Sequence, residues 1–300
     1  MIMKAMILVR QPVFQSLVLL LGVLTLVLAG GCMQEAPQAG HAPQPEASFQ
    51  PDMTPMERLP DTRAGEIVRR GIDFVGGWEA WAGKRTVAYR KTTIYFDSLG
   101  NEQRRLVQLH QYVLHPSPKM RIEYEDDEGR KILLINNGEQ AWKWMDGERV
   151  TSQQDQNHAW NSTFGSHYVF CMPFKLTDPG AALTYIGQVT LPDGQTADGV
   201  RVAYEPGAGS SAGMHTWTYY LDPDDGRLLA NFLVFGAEPD DYDFTEYTDY
   251  KVIDGLHLPT RRFSYQSNAE GEKLLKVSGY INEDVRFDAP LPDSLFVLPQ

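Results

Sequence analysis

The sequence predicts an α+β fold: a large curled antiparallel β-sheet, a half-barrel of about twelve strands, wrapping two or so α-helices. Three observations lead there. From Arg85 onward, short runs of strand-forming residues alternate with Asp-Gly and Asn-Gly turns, the strongest local signal for hairpins. No stretch has the strand–helix–strand spacing of a parallel sheet, so the strands should pair antiparallel. Two segments, near residues 63–75 and 158–171, carry apolar side chains at helical spacing.

Composition bounds the rest. Of 300 residues, 42% are hydrophobic, enough for one domain at residues 61–300. The formal net charge is −12. Residues 1–31 hold Lys4 and Arg10 and no acid, so the chain from Cys32 is more acidic still. Such a surface repels nucleic acid and anionic headgroups as main partners, and its plain role is solubility. The two cysteines are Cys32 and Cys171. Cys171 is expected to pack as a small hydrophobe, so the fold needs no disulfide.

Residues 1–31 read as a signal peptide. Lys4 and Arg10 precede an apolar run from Leu17 to Ala29, shorter than the roughly 20 residues that span a bilayer. Ala29-Gly30-Gly31-Cys32 then resembles the lipobox of bacterial lipoproteins, with Ala29 where the pattern usually has Leu. The resemblance implies lipidation of Cys32 and cleavage before it. Met33 rather than Asp at the next position implies, by likeness to enteric lipoproteins, sorting to the outer membrane. Residues 32–60 carry six prolines among Gln, Ala and Glu and should form an extended tether.

The domain opens with a helix. Asp61 and Thr62 are candidate caps. Ala64, Ile67, Val68, Ile72 and Val75 form one stripe, and Gly76-Gly77 ends it. Trp78 and Trp81 should pack under the helix end. Strands follow at TVAYRKTTIYF, RLVQLHQYVLH, KMRIEYE, KILLINN and AWKWM. Trp160, Phe164, Tyr168 and Cys171 then recur at helical spacing before Pro173. Strands resume at ALTYIGQVTL, around Val200–Tyr204, and in three segments near 242–252, 256–267 and 273–286.

Between them lies Met214–Phe235, a hairpin about the turn DPDDGR. In its first strand Trp217, Tyr219 and Leu221 alternate with Thr216, Thr218 and Tyr220. In its second, simple alternation puts Leu228, Ala230, Phe232 and Val234 on one face and Leu229, Leu233 and Phe235 on the other. A strand apolar on both faces is covered on both.

Catalytic signals are weak. Gly209–Gly213 fits G-x-S-x-G with Ser211 as nucleophile, but a strand follows where that elbow needs a helix. The seven histidines are scattered; His110 and His115 are five apart, which separates them on a strand, and His158 and His167 point apart on a helix. The acidic clusters 125–128, 222–225 and 240–243 suggest calcium, yet Arg227 and Leu233 stand where a calcium loop needs Gly and Glu. Solvated turns are the better reading. Neither a cofactor nor a metal is expected.

The mature domain resembles bacterial envelope lipoproteins related to the LolA/LolB/LppX-type half-barrel, the lipoprotein-carrier fold. The residues that carry the likeness are the opening helix with GGW, YVFCMPFKLTDPGAALTYIG (168–187), TYYLDPDDGRLLANFLVF and YTDYKVIDGLHLPTRRF (247–263). It implies a convex sheet wrapping helices around an apolar cavity for acyl chains, and no catalytic residues. The expected protein is an outer-membrane lipoprotein on the periplasmic or cell-surface side. It would hold a lipid, acyl chain or lipoprotein ligand. Trp142, Trp144, Phe164, Tyr168, Trp217, Tyr219, Phe232 and Val234 are the candidate ligand-binding residues. An envelope scaffold with a filled core is the alternative, and a hydrolase built on Ser211 a third.

Overall fold

The computed structural model describes residues 53–115, 117–204, 215–235 and 242–297. Cys32, residues 33–52 of the expected tether and Ser211 lie outside them; residues 53–60 are described, with Leu59 buried in the core. Helix α1 (Arg63–Val75) is capped by Thr62, whose hydroxyl accepts from the Gly65 amide. The stripe Ala64, Ile67, Val68, Ile72 and Val75 is buried along its whole length. The Trp78-to-Ala82 segment forms a short helix of its own, α2, with Trp81 stacked on Phe174 at 4.5 Å.

The described residues contain thirteen strands in one antiparallel sheet. The chain enters mid-sheet at β1 (Thr86–Phe96). It steps outward through β2 (Glu102–Val113), β3 (Lys119–Glu125), β4 (Lys131–Asn136), β5 (Ala141–Met145) and β6 (Glu148–Val150), which is one edge. Helix α3 (Gln153–Phe170) and a 3-10 turn (Phe174–Thr177) carry it to the opposite edge at β7 (Ala181–Thr190). It returns through β8 (Thr196–Tyr204), β9 (Thr216–Leu221), β10 (Leu228–Val234), β11 (Tyr242–Ile253) and β12 (Leu256–Ser267). Last comes β13 (Lys273–Phe287), which pairs with β1. The two edges do not meet, so the sheet curls without closing, the α+β half-barrel that the sequence predicts.

Local chemistry sets the hairpins. Asp146-Gly147 and Asp254-Gly255 both have positive φ at both positions, the conformation whose twist matches the flanking strands. The DPDD cluster is a turn too. The Asp222 carboxylate accepts from the amides of Asp224 and Asp225 and from the Arg227 guanidinium. Helix α1 lies close on this turn. A Cβ at Gly226 would fall 2.7 Å from the Arg70 carbonyl, and one at Gly71 2.6 Å from a Leu221 methyl. A second clamp is Asp198 of β8, which accepts from Arg63 at 3.3 Å, Arg70 at 2.9 Å and the Tyr185 hydroxyl at 3.2 Å.

Two details differ from the sequence reading. Helix α3 begins at Gln153, not near 158, because Ser152 accepts from the Asp155 amide and caps a polar first turn with no apolar stripe to betray it. Its buried residues are Ala159, Thr163, His167, Tyr168 and Phe170. Of the stripe read from the sequence, Tyr168 and Cys171 are buried, while Trp160 and Phe164 are only partly so. In β10 the pairing register slips between Leu228 and Ala230. That bulge turns the following residues over. Leu228 and Leu233 belong to the main core, whereas Leu229, Ala230 and Phe232 pack on the outer face with Leu191, Ala197 and Phe244.

Candidate functional site

Helix α1 fills the inner face beneath it. Next to Gly71, Val75 and Leu228 the remaining space is about 20 Å³. Helix α3 does not. Between it and strands β9 to β13 and β1 lies a cavity of about 530 Å³, within the 300–1,000 Å³ typical of small-molecule sites. The helix supplies Phe164, Gly165, Ser166, Tyr168 and Val169 as one wall. Trp217, Leu233 and Phe235 face them from the hairpin. Gly165 matters here because a Cβ built on it would touch nothing within 4 Å. The helix is held off the sheet at that point.

One side of the cavity is an aromatic column. Trp160 and Phe164 are parallel at 6.4 Å, Phe164 and Tyr168 are 6.2 Å apart, Tyr168 and Trp217 5.1 Å, and Trp217 and Tyr219 6.2 Å. Offset stacking at these separations favours a rigid, flat apolar wall. A tyrosine cluster closes its lower end. The Tyr168 hydroxyl meets those of Tyr204 at 2.7 Å and Tyr219 at 2.9 Å, and Tyr204 donates on to the Lys175 carbonyl. Burial pushes the Tyr168 and Tyr219 hydroxyls well above the ordinary tyrosine value. They stay neutral, as their mutual hydrogen bonds require.

The other side is polar. Tyr247 donates to the Asn231 amide oxygen at 2.7 Å, and the hydroxyls of Thr245 and Ser264 meet at 2.7 Å. Lys91 of β1 donates to the Ser166 hydroxyl at 3.3 Å. Burial first, then the Arg262 charge, lowers the Lys91 ammonium to about 7. Arg262 itself stands over the Tyr280 ring at 4.4 Å.

The candidates named from sequence fall in three places. Phe164, Tyr168 and Trp217 line this cavity. Tyr219 is fully buried beneath them and bonds to Tyr168. Phe232 packs on the outer face, and Val234 shares its side of β10, because of the bulge. Trp142 and Trp144 also lie away from the cavity. Between them Lys143 reaches inward to Asp155 of α3 at 2.7 Å, so its neighbours in β5 face outward, packing with Ile135 and Leu133. Trp144 borders a separate open hollow with Tyr124 and Gly147. Sequence reasoning missed Lys91, Asn231, Tyr247, Arg262 and Tyr280. The available signal was Lys91 itself, on the same side of an alternating strand as Val87, Tyr89 and Thr93, all buried.

Among the described residues the cysteine and histidines do not form a reactive centre. Among the described residues no group of three or more His, Cys, Asp or Glu side chains could hold a metal ion. The Cys171 thiol, 3.4 Å from His167, is pushed up to about 12 by burial. His167 is held neutral by the same cause. Among the described residues no helix is long and apolar enough to cross a membrane.

No family model matches the sequence, and no curated protein matches it. Solved structures do. A LolA superfamily protein from Nitrosomonas europaea is 12% identical with a TM-score of 0.50, covering 78% of this chain and 97% of its own. A putative outer membrane lipoprotein-sorting protein domain from Vibrio parahaemolyticus is 12% identical with a TM-score of 0.50, over 77% and 94%. A DUF1329 family protein from Desulfovibrio piger is 10% identical with a TM-score of 0.52, over 78% and 97%. At these identities the likeness is one of architecture, and it agrees with the resemblance carried by the opening helix and the hairpin. The chain has the half-barrel fold of the LolA superfamily proteins.

Proposed function

We propose that this protein is a membrane-anchored lipoprotein of the bacterial envelope that binds a hydrophobic ligand in its half-barrel, without catalysis. The observation that carries the reading is the cavity of about 530 Å³ under α3, walled by Phe164, Tyr168, Trp217, Leu233 and Phe235. A packed interior leaves few voids larger than a water molecule. A space of this size with one aromatic wall, beside a face that α1 fills to within about 20 Å³, is room kept for an occupant. The names of the neighbours, a LolA superfamily protein and a putative outer membrane lipoprotein-sorting domain, support an envelope role. The Ala29-Gly30-Gly31-Cys32 segment supports a signal peptide over 1–31 and a lipid on Cys32, and the proline-rich stretch after it supports a tether that ends before the buried Leu59. Outer-membrane residence rests on Met33 after the cysteine.

The test uses the full chain carrying Cys32→Ala, so that no covalent acyl group is counted. Native mass spectrometry and solvent extraction should recover an acyl ligand. Gly165→Leu, which projects a side chain into the open space, should abolish that recovery with the fold intact. Recovery of a protein partner and no lipid, from wild type and variant alike, would replace this reading with the scaffold one.

A further inference from the structure

The cavity contains more charge than an acyl chain needs. Strand β13 lies between β1 and β12. Arg262 pairs directly opposite Tyr280 across β12 and β13, and Lys91 pairs opposite Asn282 across β1 and β13. The two cations therefore flank Tyr280. The guanidinium carbon is 4.4 Å and the ammonium 5.7 Å from its ring centre. Lys91 is 7% exposed. Among the described residues neither cation has a carboxylate within ion-pair distance. Asp243 stands on the same cavity wall. A buried lysine held beside a partly buried arginine opposes folding, and a ring face offsets only part of that. In a chain of net charge −12, such a pair is a site for an anion. Trp217, also on the cavity wall, has an indole N–H donor without a partner.

Resting on the cavity reading above, we infer that the ligand is an anionic amphiphile. Its carboxylate or phosphate head sits between Lys91 and Arg262 against Tyr280, and its acyl chain runs along Phe164, Tyr168 and Leu233. An anion converts the two repelling cations into a charge-assisted cluster, with the Ser166 hydroxyl already directed at Lys91.

The experiment titrates the full chain with cis-parinaric acid and with its uncharged methyl ester, following fluorescence. The acid should bind at least about tenfold more tightly than the ester. Lys91→Met and Arg262→Met should each reduce acid binding toward the ester level, and Lys91→Arg should retain the preference. Circular dichroism confirms the fold of each variant, and Arg262→Gln serves if Arg262→Met fails to fold. Competition distinguishes the source of the head. Displacement by oleate alone identifies a fatty acid, and displacement by phosphatidylglycerol vesicles that is lost in Lys91→Met identifies a phospholipid. Equal binding of acid and ester, unchanged in the variants, would overturn the anion site while leaving the hydrophobic cavity standing. Binding of neither would overturn both.

Discussion

The Arg70 guanidinium lies 2.9 Å from the Asp198 carboxylate, a group with no exposed surface of its own. This pair, with Tyr185, ties α1 to β7 and β8 at the sheet edge. Asp198→Ala leaves an inward-reaching Arg70 without its counterion. The expected loss is about 3 kcal/mol, the lower end of the range for breaking a buried pair, because Arg70 keeps some contact with water. A urea midpoint that moves by less than about 1 kcal/mol in equivalent stability would show that α1 is held by apolar packing alone.

Two helical glycines should respond in opposite directions. Gly165→Ala puts a methyl into open space and gains helix propensity, raising stability by about 1 kcal/mol. Gly71→Ala drives a methyl toward Leu221 and the Gly226 carbonyl, costing about 1–3 kcal/mol through overpacking. Thermal denaturation of the two variants side by side checks both. Equal shifts of the same sign would contradict the spacing described for α1 and α3.

Stability should rise between pH 7 and 10 and then fall. Lys91 is lowered to about 7 in the folded chain against 10.5 ordinarily, so over that window the unfolded chain holds the extra proton and raising the pH favours folding. The groups near Lys91 are Arg262, His110, Tyr280 and, on the cavity wall, Asp243 and His215. Above about pH 10 the sign reverses. Tyr168 and Tyr219 keep their protons when folded and lose them when unfolded. Chemical denaturation across pH should show this maximum, and Lys91→Met should remove the rise but not the fall.

Cys171 should resist alkylation in the native protein. Its thiol is 4% exposed and raised to about 12, so thiolate is scarce and access is closed. In the chain carrying Cys32→Ala, maleimide labelling read by intact mass should be slow in buffer and complete in denaturant. Fast native labelling would mean that the segment linking α3 to the 3-10 turn opens readily.

Much of the architecture was legible in the sequence because it is written locally. Asp146-Gly147 and Asp254-Gly255 are turns by their own conformational preference, and each fixes the two strands beside it. The stripe from Ala64 to Val75 likewise needs no tertiary information. What failed depends on events across the sheet. One bulge at Leu228–Ala230 sends Phe232 outward, and no periodicity marks it in advance. Trp142 and Trp144 looked like cavity residues because tryptophan burial is common; only Lys143 reaching for Asp155 reveals their direction. The cation pair was invisible for a related reason. Lys91 and Arg262 are far apart in the chain and become neighbours only through β13.

The seam between β1 and β13 has a consequence for the order of assembly. It joins residues 86–96 to residues 273–287, so it closes only when nearly the whole chain is available. Before that, the protein is two separate meanders, with Lys91 on one and Arg262 on the other. Contacts this distant in sequence form late and slowly. The cavity under α3 comes into existence only with β13, and a truncation before Lys273 would leave two half-sheets with no interior to share.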